Sequence, residues 1–460
     1  MGVQTPSTLA SFGEFVANAV VHPPARQAAC DAVLDTVGVM LAGSVEPAAR
    51  LVRDVAQAEG GAARCSILGV ANRTGAGWAA LANGTAAHAL DFDDMCFVSM
   101  AHPSAPLVAA GLATAELAGA SGVELLEAFC VGFEIEGVLG RLMNPSHYER
   151  GWHATATIGT IGAAAAAARL MGQNAETAAR TMAIAASEAS GLKESFGTMV
   201  KPLQAGLAGR NGVLAAQLAE VGFTATDRAV DGPQGMLVAM QAETHDVRDE
   251  VTKLGRDWEI VDGGITVKLY PACAGTHPTI DTLLDLRNEY GFTAADIDQI
   301  EIGVDTVTPT VLIHDRPTTG LEGKFSMHFC AASAVAHGCV DLQTFEPSGL
   351  SDSLTRELLP RIMMHVDPTL GVNQPPLTEA KVVVRLRDGR LCERHARGAR
   401  GYPNLPPSAQ EFDRKFTVCA ERAVEPSVAT EVLGWLRGLE RQPRVAALSD
   451  LLTRSVAIPV

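Results

Sequence analysis

The chain has 460 residues, of which 47% are hydrophobic and 19% are charged, and its formal net charge is −16. This length suffices for two domains with at least one large core, and the apolar fraction argues against disorder of the bulk. The negative charge repels nucleic acid and anionic membrane surfaces, so we expect neither as a partner. Aromatic residues are scarce while alanine and glycine are plentiful, which favours helices packed closely through small side chains.

Cysteine usage and hydropathy indicate a cytoplasmic protein. The nine cysteines include no C-x-x-C pair, so we expect reduced, mostly buried thiols rather than a zinc ribbon or an iron–sulfur cluster. The first thirty residues lack a basic start followed by an apolar core, so no signal peptide is predicted. The longest apolar run, residues 158–170, contains Arg169 and is too short to cross a membrane.

The first 265 residues or so predict one helix after another. Apolar residues recur at helical spacing, prolines begin segments and glycines end them. The pattern predicts helices over residues 25–41, 106–118, 123–142, 155–171, 175–190 and 211–221, with a short alanine-rich segment at 83–89.

The pattern changes near Gly263 and Gly264, where strands begin to alternate with helices. Residues 297–304 alternate as in a strand, and residues 381–396 predict a hairpin around an Asp-Gly turn. Further helices are predicted over residues 279–290, 325–338, 351–364, 410–423 and 427–439. The fold class is therefore mainly α with an α+β part, in which a smaller α+β domain is inserted into a large helical one.

Residues 88–104 concentrate titratable groups, with two imidazoles and three carboxylates at His88, Asp91, Asp93, Asp94 and His102. One interpretation is a solvated acidic loop, and another is a metal site, although the spacing matches no standard ligand signature. A third interpretation is acid–base chemistry, in which Asp91 orients a catalytic imidazole and His102 handles a proton. Pro103 restricts His102 to extended geometry on a loop.

Two further motifs place cationic or titratable side chains among small residues. His153 precedes a small-residue helix that contains Thr155 and Thr157, and the start of a helix is a natural place for a carboxylate. The histidine and the threonines either only cap the helix or contact substrate. Lys201 stands before Pro202 and between glycines, where it can bind a carboxylate or stabilise an enolate-like intermediate. A Schiff-base role is the rival, but no pyridoxal phosphate motif supports it.

Two loops of the second half also carry candidate groups. Residues 267–281 hold Lys268, Tyr270, Cys273 and His277 near the domain junction, a favoured place for ligand sites. Cys273 as a nucleophile with His277 is an open alternative. Residues 319–329 place Lys324, Ser326 and His328 at alternating or nearly helical spacing, which a capping turn explains in part.

These motifs together resemble the MmgE/PrpD family, which includes 2-methylcitrate dehydratase, cis-aconitate decarboxylase and iminodisuccinate epimerase. The similarity covers nearly the whole chain, and it rests on several motifs in order: H-A-L-D-F-D-D with H-P-S, G-W-H-A-T-A-T-I-G, G-T-M-V-K-P-L-Q-A-G with R-N-G, K-L-Y-P-A-C-A-G-T-H-P, G-L-E-G-K-F-S and G-Y-P-N-L-P-P with K-F.

The resemblance implies a large helical domain formed by both chain ends, residues 1–265 and 405–460, and an α+β lid domain at 266–404. It also implies a homodimer, a pocket between the domains and catalysis without metal or organic cofactor. The residues expected to be catalytic are His102, His153, Asp91 and Lys201. Those expected to bind substrate are Lys268, Asp94, Thr157, His277 and Lys324.

The implied activity is proton abstraction next to a carboxylate of a small di- or tricarboxylate. We expect a lyase of the dehydratase type, with an epimerase or racemase and a decarboxylase as alternatives. The motif departs from decarboxylase and dehydratase members at Met95, where they usually have threonine, and several spacings are closer to those of the epimerase branch. Proteins of other classes also remain open: a catalytically silent ligand-binding protein, or a metal-dependent hydrolase built on His88, Asp91 and Asp93.

Overall fold

Helices form most of the chain, which confirms the predicted fold class. The computed structural model describes residues 7–71, 73–240, 247–371 and 378–453. The chain divides into two units, the first comprising Met1–Glu194, Val200–Ile265 and Ser408–Val460, and the second comprising Ser195–Met199 and Thr266–Pro407.

The first unit is a helical assembly with one short β-ribbon. The ribbon pairs β1 (Cys65–Ser66) with β2 (Arg73–Thr74) in antiparallel register. The helices are α1 (Thr8–Asn18), α2 (Pro23–Gly43), α3 (Pro47–Glu59), α4 (Ala76–His88), α5 (Ser104–Ala118), α6 (Gly122–Met143), α7 (Ser146–Glu149), α8 (Ala154–Leu170), α9 (Ala175–Glu188), α10 (Val200–Glu220), α11 (Met236–Ala239), α12 (Val247–Lys253) and α13 (Glu259–Asp262), with α20 (Ala409–Ala420), α21 (Pro426–Arg437) and α22 (Ala447–Thr453) from the C-terminal part.

Small side chains bring the central helices of this unit together. Helices α4 and α10 approach so closely that an ideal Cβ on Gly84 would lie 2.8 Å from the Cα of Gly206. The alanine run of α8 is fully buried beside them. The scarcity of aromatic residues therefore has the predicted consequence, because close backbone contact replaces interdigitation of large side chains. Larger apolar residues fill the core between the outer helices, among them Val33, Leu107, Phe129 and Ile158.

The second unit is built on a four-stranded sheet. Its strands are β3 (Ile297–Val304), β4 (Ile362–Val366), β5 (Ala380–Leu386) and β6 (Leu391–Ala396), in the spatial order β4-β3-β5-β6. The β3–β4 pair is parallel and the other pairs are antiparallel. The helices are α14 (His277–Tyr290), α15 (Thr308–Val311), α16 (Gly320–Gly323), α17 (Met327–His337), α18 (Pro347–Leu350) and α19 (Ser353–Leu358). Helices α14 and α17 pack on the sheet, over a core that includes Leu283, Ile300, Phe329 and Val382.

The predicted strand at 297–304 and the hairpin at 381–396 are confirmed, while the predicted helix over 351–364 is wrong. The chain there is helical only over Ser353–Leu358. Pro360 lies in the 3-10 turn that follows, and Ile362–Val366 then pairs with β3. A proline lacks the N–H that would continue a helix, and the open edge of β3 supplies partners for an extended backbone.

Two general expectations can be compared with the described residues. All nine cysteines are free and seven of them are buried, as predicted. No single helix in the described part of the chain is long and apolar enough to cross a membrane; α2 and α3 reach the required length and composition only as a pair, with an angle of 84° between them.

Candidate acid–base site

The loop between α4 and α5 brings the predicted titratable groups together inside the first unit. His88 is the last residue of α4, and His102 lies two residues before α5 begins. Asp91 has a left-handed backbone with φ of 51°, a conformation that aspartate tolerates better than most residues. The chain thus turns directly after the helix, and His88 and the three carboxylates of the loop are all buried.

A carboxylate between two imidazoles forms the centre of this cluster. Both oxygens of Asp93 lie within hydrogen-bonding distance of His88 Nδ1, at 2.7 and 2.9 Å. The Nδ1 atom of His102 lies 3.5 Å from Asp93 Oδ2. The two imidazole rings meet edge to face with centroids 4.4 Å apart. The sequence assigned the orienting role to Asp91, whereas the carboxylate seen between these two rings is Asp93.

His153 joins the cluster from the start of α8. It is buried, its Nδ1 lies 2.6 Å from the amide oxygen of Gln204, and its ring stacks on that of His88 at 5.9 Å. In the first turn of α8, the hydroxyl of Thr155 accepts a hydrogen bond from the backbone N–H of His102 at 2.9 Å. The start of α8 therefore fixes the positions of two of the predicted catalytic histidines.

Lys201 reaches the same cluster from α10 and forms a buried ion pair with Asp91. The sequence predicted a helix only from residue 211, and this start is wrong, since α10 begins at Val200. Proline is tolerated in the first turn of a helix, where the N–H groups have no partner within the helix. Gln204 follows one turn later on the same helix, so the two side chains share a face.

Burial and charge determine which of these groups carry protons. Burial lowers the pKa of His88, although Asp93 opposes this, and burial together with the charge of Lys201 holds the pKa of His153 well below its usual value. Burial opposes ionisation of Asp93, but the charges of His88 and His102 outweigh it and hold the pKa of Asp93 well below its usual range. A neutral imidazole at His153 is available to accept a proton at neutral pH.

Two further buried acids are Asp94 of the same loop and Glu136 of α6. Asp94 is bonded to the hydroxyl of Ser104, and burial raises the pKa of Asp94 to about 8. Burial also raises the pKa of Glu136 well above its usual value, and neither of its carboxyl oxygens has a hydrogen-bond partner among the described residues. An ideal Cβ on Gly162 would lie 2.3 Å from Glu136 Oε1, so a glycine in α8 makes room for this carboxyl.

Replacing Glu136 by glutamine is expected to flatten the decline of stability between pH 5 and pH 8. A carboxyl whose pKa is raised by folding contributes stability below its unfolded-state pKa, near 4, and loses that contribution as the pH rises toward the folded-state pKa. The urea midpoint of the wild type should therefore fall from pH 5 to pH 8, and that of Glu136→Gln should fall less. Equal declines in the two proteins would contradict this.

Lys415 anchors the loop between α4 and α5 from the C-terminal part of the chain. Its ammonium group donates hydrogen bonds of 2.8 Å to Asp35 on α2 and to the backbone carbonyl of Phe92. It also lies 4.2 Å above the ring of Phe92. Phe92 stands between Asp91 and Asp93 in the chain. Lys415 of α20 therefore fixes the loop between the two carboxylates, of which Asp91 pairs with Lys201 and Asp93 faces the imidazoles.

The remaining predicted substrate-binding residues are bonded to protein groups. The hydroxyl of Thr157 contacts His147 Nε2 at 2.8 Å. In the second unit, His277 Nε2 lies 3.1 Å from the carbonyl of Ala272, and Lys324 donates to the carbonyl of Pro271 at 2.8 Å. Lys268 is buried in the second unit. A role in substrate binding for these residues, and for Asp94, stays a prediction from the resemblance.

Four participants were not among the predicted site residues: His88, Asp93, Gln204 and Lys415. His88 and Asp93 were counted among the titratable groups of the loop, but the sequence analysis preferred Asp91 as the orienting carboxylate and His102 as the imidazole. Gln204 would have been found from its i,i+3 spacing to Lys201, had the start of α10 been placed correctly. Lys415 lies more than 300 residues from the loop, and only a K-F pair in a late motif pointed to it.

The family of the protein follows from comparison with known sequences. Residues 8–247 match the MmgE/PrpD N-terminal domain, and residues 270–433 match the MmgE/PrpD C-terminal domain. The chain therefore belongs to the MmgE/PrpD family, which confirms the resemblance.

Among its relatives is the cis-aconitate decarboxylase-like protein oryM of Aspergillus oryzae, which is 27% identical over 454 residues, covering 92% of this chain and 91% of the relative. The cis-aconitate decarboxylase of Homo sapiens is 26% identical over 386 residues, covering 82% and 79%. That of Aspergillus terreus is 23% identical over 422 residues, covering 86% and 85%.

Proposed function

We propose that this protein is an enzyme, a lyase that forms a carbanion next to a carboxylate group of a small di- or tricarboxylate and transfers a proton at that carbon. The observation that supports this most strongly is the buried cluster of His88, Asp93, His102 and His153 with the Lys201–Asp91 ion pair. Imidazoles supply and accept protons at neutral pH, and a fixed ammonium group stabilises negative charge that develops nearby. Both functions are needed for a carbanion intermediate.

Each group has a defined part in the proposed mechanism. The ammonium group of Lys201 binds the substrate carboxylate and stabilises the enediolate that forms when the electron pair is left on the adjacent carbon. His102 or His153 exchanges the proton with that carbon. The role of Lys268 as a second carboxylate ligand is carried over from the resemblance alone.

The set of bonds that break decides the product. In a decarboxylation, the bond to a carboxylate breaks, CO₂ leaves, and an imidazolium protonates the carbanion. In a dehydration, an imidazole removes a proton, and a hydroxyl group on the next carbon takes a proton from an imidazolium and leaves as water. Return of the proton to the opposite face gives an epimerase. The names of the relatives favour decarboxylation, whereas the sequence motifs alone favoured dehydration.

Proton NMR of the full-length protein with cis-aconitate, 2-methylcitrate, citrate and iminodisuccinate tests the proposal. We expect one of these acids to be consumed, with loss of CO₂ or water identified from the product's olefinic signals. Consumption should persist in Lys381→Met, which alters a lysine paired with Asp367 on the second unit's sheet. A change of configuration alone would replace the lyase by an epimerase, and no reaction with any acid would contradict the proposal.

A metal-dependent hydrolase is the second candidate. His88, Asp91 and His102 each offer one possible ligand atom, and these three atoms lie within 4.8 Å of one another. The ion pair with Lys201 argues against it, since a divalent ion at Asp91 would have to displace the ammonium group or lie beside it. Exhaustive chelation separates the two candidates. We expect full turnover after chelation, and loss that Zn²⁺ or Mn²⁺ restores would favour the metal enzyme.

A further inference from the structure

We propose that Asp93 is a positioning residue that fixes the orientation of His88 and sustains a proton on His102. The inference rests on the proposed function. It gives Asp93 the orienting role that the sequence analysis had given to Asp91. The juxtaposition behind it is one fully buried carboxylate that faces the Nδ1 atoms of both imidazoles. His88, Asp93 and His102 would then act as one unit rather than as three separate groups.

The contact with His88 defines the tautomer of that ring. A buried carboxylate needs hydrogen-bond donors, and Asp93 presents both oxygens to His88 Nδ1 within 2.9 Å. The proton of a neutral His88 therefore resides on Nδ1, as in other carboxylate–histidine pairs, where the carboxylate fixes both tautomer and ring orientation. Its Nε2 atom is buried and has no hydrogen-bond partner among the described residues, so it remains an acceptor.

The contact with His102 is electrostatic rather than a well-formed hydrogen bond, at 3.5 Å. The titratable groups near His102 include His88 from α4, His153 from the start of α8, and Asp91 and Asp93 from its own loop. Asp91 is already paired with the ammonium group of Lys201. Asp93 is therefore the carboxylate whose charge balances a proton taken up by the imidazole pair.

Ring packing extends the influence of Asp93 across the site. His88 contacts the ring of His102 at 4.4 Å and that of His153 at 5.9 Å. A ring fixed at Nδ1 cannot rotate without disturbing both neighbours. Loss of the Asp93 carboxylate is thus expected to change both the proton affinity of the imidazoles and the alignment of their rings. Loss of a side chain that only fills space would not change the proton affinity.

NMR of the full-length protein labelled with ¹⁵N-histidine tests the proposal without reference to turnover. In the wild type, we expect His88 in the Nδ1-protonated tautomer. In Asp93→Asn, the titration midpoint of His102 should move to lower pH, because the negative charge that favours imidazolium is gone. For a substrate that turns over, kcat should fall about 10–100-fold with little change in KM, and the limb of the kcat/KM profile that reports His102 should move to lower pH.

Glu116→Gln is the matched control, since the Glu116 side chain is only 4% exposed and is bonded to Ser66 and Ser449 and paired with Arg73 at 3.8 Å, away from the loop. It should leave the histidine spectrum and the pH profile unchanged. An Nε2-protonated His88 in the wild type would overturn the proposal even if Asp93→Asn does not fold. So would an unchanged His102 midpoint in folded Asp93→Asn. The expected spectra without turnover of any acid would support the role of Asp93 and reject the proposed function.

Discussion

Replacing His102 by asparagine is expected to lower kcat/KM about 10²–10⁴-fold, the usual effect of removing one general acid–base group. His102 lies beside Asp93 and His88, and its side chain is the most exposed of the three, at 12%. Of the two imidazoles beside Asp93, His102 is therefore the one that a substrate can reach without rearrangement of the core. Asparagine preserves the approximate size of the ring but cannot exchange a proton. The measurement is the initial rate by NMR with the acid that the wild type consumes.

His337→Asn supplies the control for that substitution. His337 is a partly exposed histidine of the second unit, within 3.1 Å of Asp352 and Thr355, and its removal should leave the rate unchanged. Both variants should keep the thermal midpoint of the wild type within a few degrees. A folded His102→Asn that retains the wild-type rate would exclude His102 from the chemistry.

Replacing Lys415 by methionine is expected to reduce the free energy of unfolding by about 3–5 kcal/mol, the range observed when one partner of a buried ion pair is removed. The side chains of Lys415 and Asp35 are 4% and 1% exposed, so the remaining carboxylate cannot be hydrated in place. The carbonyl of Phe92 loses its donor at the same time. Urea denaturation of the purified variant measures the effect.

Two comparisons show whether the destabilisation arises from the buried charge. The double variant Lys415→Met with Asp35→Asn should recover part of the loss, because no charge is left unpaired. Lys381→Met removes a lysine whose partner Asp367 and whose own side chain are accessible to solvent, and it should cost less than about 1 kcal/mol. Equal losses in Lys415→Met and Lys381→Met would contradict the buried-pair explanation.

The elements that the sequence predicted well are those with strong local signals. The Pro23-Pro24 start and the Gly43 end of α2 coincide with the observed helix, and the alternation in residues 297–304 coincides with β3. In contrast, β4 has no local signal that separates it from the preceding helix, and its conformation depends on pairing with β3. Tertiary contacts override local propensity there.

The candidate site, like the fold, could be predicted only where the signal is local in the sequence. The composition of residues 88–104 and the positions of His153 and Lys201 were sufficient to predict which segments carry titratable groups. They could not predict that Asp91 pairs with Lys201 while Asp93 lies between two imidazoles. The sequence does not distinguish the partners of Asp91 and Asp93, which are two residues apart on one loop. The left-handed backbone at Asp91 makes the two side chains point in different directions.

The central claim is that an imidazole of this cluster transfers a proton at carbon while the ammonium group of Lys201 stabilises the carbanion. Deuterium incorporation tests it most directly, by incubating the wild type and Lys201→Met in D₂O with the acid that is consumed and locating deuterium by NMR and mass spectrometry. If CO₂ is lost or the configuration changes, the account predicts solvent deuterium at the carbon next to a carboxylate with the wild type, and at least 10²-fold slower incorporation with Lys201→Met. If water is lost, the carbon gives up its proton and the product carries no deuterium there, so the rate of Lys201→Met decides. Loss of CO₂ without deuterium at that carbon, or an unchanged rate in folded Lys201→Met, would contradict the account.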